Sequence, residues 1–219
     1  MYLMTRLLLI FFLATTHCFA GVSVIGTRFV IDNNTQKLAI KVVNDNESDY
    51  LVKTDITNRD EFIISPPLFV LPQNASNLIT IVPNNLKKGD KDKLYRLSIT
   101  TIPKSRLTES TNTVSLAVRS HFYLIYRHDN LKSADFNQLK LTTENGQFYL
   151  KNLSNYVLTF RLSGIKNSAT STRKTLAPEE KLLINKECTN TNSNFWISFL
   201  DDDDNIIKKT NIFCEVGSR

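Results

Sequence analysis

The chain has 219 residues, a formal net charge of +6, 42% hydrophobic residues and 22% charged ones. Its Lys and Arg residues are scattered among Asp, Glu and Asn. The densest basic stretch, Lys87, Lys88, Lys91 and Lys93, is interrupted by Gly89, Asp90 and Asp92, so it reads as a solvated loop and not as a nucleic-acid patch.

In chain order, the first element is a leader. Arg6 precedes an apolar run from Leu7 to Ala14, polar Thr15, Thr16 and His17 follow, and Cys18-Phe19-Ala20 ends on a small residue. That order predicts a signal peptide over residues 1–20, secretion, and a mature start at Gly21. The apolar run is well short of the roughly 20 residues a membrane span needs, and no later run is long enough. Beyond it the dominant signal is alternation with period two, broken by clusters of Asn, Asp, Pro, Ser or Gly, as in a sandwich of short strands. Strands are predicted at Ser23 to Ile31, Lys37 to Asn44, Tyr50 to Asn58, Phe62 to Ser65, Leu68 to Leu71, Asn77 to Val82, Lys93 to Ile102 and Val114 to Tyr126. The polar stretch His128 to Ser133 reads as a linker. Alternation resumes at Leu139-Leu141, Phe148-Leu150, Val157 to Leu162, Lys181 to Ile184, Phe195 to Leu200 and Ile206 to Val216. The expectation is an all-β protein of two tandem immunoglobulin-like sandwiches, residues 21–127 and 128–219.

The mature chain keeps two cysteines, Cys188 and Cys214, and in an oxidising compartment an isolated pair favours a disulfide over two buried thiols. Asp201 to Asp204 lack the spaced ligands, central Gly and distal Glu of a calcium loop and read as a surface turn. His121 and His128 belong to no metal-ligand spacing or evident triad, no Gly-x-Ser-x-Gly elbow occurs, and the glycines are isolated. No metal, no cofactor and no enzyme activity are expected.

Several strings in order resemble the periplasmic pilus chaperones of the chaperone–usher pathway: Gly21-Val22-Ser23-Val24-Ile25-Gly26-Thr27-Arg28, Leu38 to Asn44, Ser65-Pro66-Pro67-Leu68-Phe69-Val70-Leu71-Pro72, Asp92-Lys93-Leu94-Tyr95-Arg96-Leu97, Ile102-Pro103, Tyr126-Arg127 and Trp196-Ile197-Ser198-Phe199. The resemblance implies two sandwiches in a boomerang arrangement that bind pilus subunits, lend each its missing strand, and pass it to an outer-membrane usher. It implies a donor strand carrying Val114, Leu116 and Val118, although alternation alone would point these residues into their own sandwich. It implies that Arg28 binds the subunit's C-terminal carboxylate. The family's second basic anchor falls on Tyr123, which could donate only a phenolic hydrogen bond, with Arg119 or His121 as substitutes if the strand is shifted. Asp92, Arg127 and Asp202 match an interdomain charge network. The short span from Pro103 to Val114 is similar to the short-loop branch. The other reading is a secreted structural or adhesive protein, with Val114, Leu116 and Val118 buried. The sequence leaves self-association of the free form open.

Overall fold

The computed structural model describes residues 21–32, 35, 37–86, 89–104, 115–127, 134–164, 172–184 and 194–214. The leader (residues 1–20), the segment 105–114 that includes Val114, the linker 128–133 and Cys188 lie outside the described residues. Among the described residues every regular element is a strand or a short 3-10 turn. The strands form two sandwiches with separate cores, one within residues 22–127 and one within 134–214.

The first half comprises β1 (Val22–Val24), β2 (Arg28–Asp32), β3 (Leu38–Asn44), β4 (Tyr50–Ile56), β5 (Phe62–Ser65), β6 (Leu68–Leu71), β7 (Ala75–Pro83), β8 (Lys93–Pro103) and β9 (Val118–Arg127). One sheet runs β1-β3-β7-β5 and the facing one β2-β9-β8-β4-β6. Between them the inward residues of each strand meet, among them Ile40, Val42, Ile79, Leu97 and Leu124, all essentially inaccessible to water. The second half contains β10 (Leu139–Glu144), β11 (Gln147–Asn152), β12 (Leu158–Gly164), β13 (Thr172–Leu176), β14 (Lys181–Leu183), β15 (Asn194–Leu200) and β16 (Ile206–Phe213). Its sheets run β10-β11-β14 and β13-β12-β15-β16, over a core that includes Phe160, Phe195, Phe199 and Cys214.

Two departures from the expected strands have a local cause. The run Ser23 to Ile31 is not one strand, because at Gly26 the backbone takes φ +118°, a region open to glycine and costly to other residues. The chain thereby crosses between sheets: β1 pairs with β3, and β2 pairs in parallel with β9. Within the predicted run Val114 to Tyr126, whose first residue lies outside the described ones, the strand described is β9, Val118–Arg127, and residues 115–117 are not part of a strand. Continuing the β8–β9 register past Thr101↔Val118 would bring Leu116 opposite Pro103, which has no N–H to give a ladder.

The same polar stitch closes each sandwich. Asn44, fully buried at the end of β3, donates to the carbonyls of Ser48 (2.8 Å), Leu71 (3.4 Å) and Pro72 (2.8 Å) and accepts from the Asn46 amide (3.0 Å). Asn152, fully buried at the end of β11, donates to Tyr156 (2.7 Å), Leu176 (3.1 Å) and Ala177 (3.1 Å) and accepts from the Ser154 amide (3.0 Å). Each holds two loops together with one side-chain amide. Asn44→Ala strands three carbonyls whose bonds to Asn44 are buried or part-buried, so urea unfolding should show a loss of about 2 kcal/mol.

Candidate functional site

The site is built on β9. Its full length from Val118 to Tyr126 pairs antiparallel with β8, but on the other side β2 covers only Tyr123 to Arg127. Among the described residues, the backbone edge of Val118 to Phe122 therefore has one partner strand and an open side. Burial along the inward face follows the same gradient. Tyr126 and Leu124 are buried, Phe122 is half-buried against the first core, Val118 is 57% exposed and Leu116 is 73% exposed. The apolar face of β9 thus lies inside its own sandwich at Leu124 and Tyr126 and runs out of it at Val118, and exposed Leu116 precedes the strand.

The covered half of β9 faces the second sandwich. Arg127 lies 3.4 Å from Asp92 Oδ2 and donates from Nη1 to Asp202 Oδ2 at 3.1 Å, with its guanidinium 5.5 Å from the Tyr156 ring centre. Asp92 accepts the Val157 amide at 3.0 Å, and its own amide donates to the Asn155 carbonyl at 2.8 Å. The structure therefore brings Asp92, Arg127 and Asp202 together with the loop between β11 and β12. Burial raises the Asp92 carboxyl above its ordinary 3.8, outweighing the Val157 amide and the Arg127 charge that lower it. Burial opposes the Arg127 charge, but the Asp92 and Asp202 carboxylates more than offset it and raise its pKa.

Arg28 opens β2 directly across from Tyr123 in the parallel register. Phe29 and Ile31 turn into the core, which sends Arg28 to the opposite face, where its side chain is 4% exposed. One Nη donates to the Asp201 carbonyl and, at 3.2 Å, to Asp204 Oδ1. Its Nε is buried with no hydrogen-bond partner among the described residues. Arg28 and Tyr123 line one cavity of about 370 Å³ together with His121, and with Arg173 and Lys174 from the second sandwich. Tyr123 is 41% exposed, so it is not core packing. Arg119 is held by Thr100 (3.1 Å) and does not line that cavity, whereas His121 does, its Nδ1 3.0 Å from Ser98 Oγ.

Sequence reasoning missed Asp204, Arg173 and Thr27. The acidic run forms a turn because Asp201 accepts the amides of Asp203 (3.0 Å) and Asn205 (2.8 Å), and those bonds hold its carboxyl below the usual range. That turn delivers Asp202 to Arg127 and Asp204 to Arg28, Arg173 and, at 3.1 Å, the Thr27 hydroxyl. Of the pair Cys188 and Cys214, the second is buried in the second core.

The family described as pili and flagellar-assembly chaperone, PapD N-terminal domain, matches residues 21–132. The chain belongs to this family. It is therefore a periplasmic pilus-assembly chaperone and not an enzyme. The chaperone protein LpfB of Salmonella typhimurium is 32% identical over 152 residues, which span 64% of this chain and 66% of LpfB. FocC of Escherichia coli is 27% identical over 180 residues, 76% of this chain and 78% of FocC. A structure of the Salmonella enterica SafA pilin in complex with the SafB chaperone superposes with a TM-score of 0.72 at 17% identity, covering 91% of this chain and 98% of that one. The periplasmic chaperone SfaE superposes at 0.66 with 22% identity, covering 87% and 98%. These likenesses identify the fold as the two immunoglobulin-like domains of that group.

The raised Asp92 value gives a prediction with a definite sign. A carboxyl whose folded pKa lies above its unfolded value contributes stability that is full below the unfolded value, about 3.8, and lost as pH rises through the folded one. Melting temperatures of wild type and Asp92→Asn, compared from about pH 3 to about pH 7, should show the wild type losing ground to the variant as pH rises.

Proposed function

We propose that this chaperone lends the open stretch of β9 to a pilus subunit lacking its last strand, and delivers the loaded subunit to an outer-membrane usher. The observation that carries this reading is the coincidence of a backbone edge at Val118 to Phe122 that is unpaired among the described residues with exposed Val118 on it and exposed Leu116 just before it. Backbone hydrogen bonds along that edge would give register, and each apolar side chain seated in the subunit's groove would contribute about 1.5–3 kcal/mol before the costs of association. Covering the subunit's groove also removes an aggregation-prone edge, and release by strand exchange needs no nucleotide.

Arg28 serves as the anchor for the subunit's C-terminal carboxylate, a planar fork suited to two hydrogen bonds. Tyr123 lies across from it and can donate a phenolic hydrogen bond, while Asp92, Arg127 and Asp202 fix the angle between the sandwiches. The reading of the chain as a structural or adhesive protein required Leu116 and Val118 to be internal, and their exposure favours donation. The short-loop assignment concerns a span most of which lies outside the described residues.

Co-purification from a periplasm tests the proposal. Wild type should carry a pilus subunit in a one-to-one complex, and Leu116→Asp, which places a charge where a groove expects a methyl group, should lose it. Because Leu116 is exposed, the variant should melt within about 0.5 kcal/mol of wild type. A folded Leu116→Asp that still holds the subunit overturns the assignment of this strand.

A further inference from the structure

The two arginines at the cavity are already occupied by a carboxylate of the chain itself. Asp204 accepts from Arg28 of the first sandwich at 3.2 Å, from Arg173 of the second, and from the Thr27 hydroxyl at 3.1 Å. Two guanidinium groups converge on one carboxylate, and both line the same cavity of about 370 Å³. One observation shows that the arrangement is not a closed ion pair. Arg28 is nearly sealed from water, yet its Nε has no hydrogen-bond partner among the described residues, so donor capacity is left over in a place where an unmet donor is costly.

We propose that Asp204 is an internal competitor for the subunit's terminal carboxylate: in the free chaperone it holds Arg28 and Arg173, and loading transfers these arginines in whole or part to the incoming carboxylate. This rests on the anchor role given to Arg28 above and extends it in two ways. The second cation of the anchor comes from the second sandwich, as Arg173, and not from position 123 on β9. The anchor is also self-occupied, so its apparent affinity is reduced by the fraction of time Asp204 holds the arginines. The held state keeps a nearly buried guanidinium from being left without an anion before a subunit arrives.

The test uses the full mature chain in two arms. In the first, acetate is titrated as the simplest carboxylate while the Arg28 Nε–H resonance is followed. Asp204→Asn keeps the shape and tolerates the backbone conformation, so the midpoint should fall about tenfold. Asp203→Asn removes the same charge from the same turn at an exposed side chain and should leave the midpoint nearly unchanged. Arg173→Gln, in the otherwise wild-type protein, should raise it about tenfold. Equal responses of the Asp203 and Asp204 variants, a weaker response in Asp204→Asn, or no effect of Arg173→Gln overturns the proposal; the Arg173 result stands if the Asp204 variant fails to fold.

In the second arm, the subunit captured by the wild-type protein is presented with a free and with an amidated C-terminus. Asp204→Asn should gain affinity for the free form alone. A gain for both forms refutes carboxylate competition. Failure of the wild type to bind any subunit, with the acetate result intact, refutes the strand-donor reading and leaves an anion site gated by Asp204.

Discussion

The pairing of β9 is the constraint on which the rest of the molecule depends. Were the N-terminal segment to continue straight in the parallel register that pairs Arg28 with Tyr123, residues 23–27 would lie against 118–122 and close the edge of β9. The turn at Gly26 prevents this by sending β1 to β3 in the other sheet. That turn requires glycine for space as well as for φ: a Cβ at position 26 would lie 2.7 Å from the Phe29 ring, whose side chain fills the core beneath. Among the described residues, one glycine thus converts what would be an interior strand into one that is interior at its C-terminal half and an edge at its N-terminal half. Isolated edges of this kind are normally short or charged, and here exposed Val118 lies on it, with exposed Leu116 just before it.

The covered half of the same strand fixes the second sandwich. Tyr123 and Arg127 bracket the β2 pairing, and the arginines at its two ends, Arg28 and Arg127, both reach the turn of residues 201–204. Strand geometry then sets the spacing between functions: from Tyr123 at the cavity to Val118 on the open edge is five residues, about 17 Å along a rigid strand. A ligand held at the cavity and along the edge would be gripped by one element whose internal distances cannot adjust, so the register of anything paired with the edge is determined by where its end is held.

Much of this was legible from the residues, and what was not has physical causes. Alternation located most strands because half-buried sheets impose a period of two. It missed β13, Thr172-Arg173-Lys174-Thr175-Leu176, because an edge strand with Leu176 as its lone apolar residue has no alternation to read. It fused β1 and β2, because a strand that changes sheets at Gly26 keeps its pattern of side chains while changing partners. The pattern of Leu116 and Val118 is identical in a buried and in an exposed strand, and alternation by itself favoured burial. What distinguishes the two is the extent of the neighbouring strand, which is set far away in sequence. The buried asparagines show the same limit, since nothing adjacent to Asn44 or Asn152 in the chain marks them as internal, and their acceptors lie as far as 28 residues away. Of the acidic run, Asp202 was singled out and Asp204 was not, because the turn made by Asp201 decides which carboxylate faces which arginine.

The two clasps between the sandwiches differ in kind. At Arg127 the carboxylate of Asp92 is completely buried, one of its oxygens has no hydrogen-bond partner among the described residues, and burial raises its pKa; such a group is a poor source of net stability. Its effect is on geometry: any other angle between the sandwiches would separate Asp92 from the Val157 amide and the Arg127 fork and leave a buried charge with nothing to answer it. At Arg28 the partner carboxylate is still partly exposed and bridges guanidiniums from both sides, so it can be approached by water and by other anions. The buried clasp can hold the angle whatever the accessible one pairs with, and the strand that joins them keeps the open edge in place.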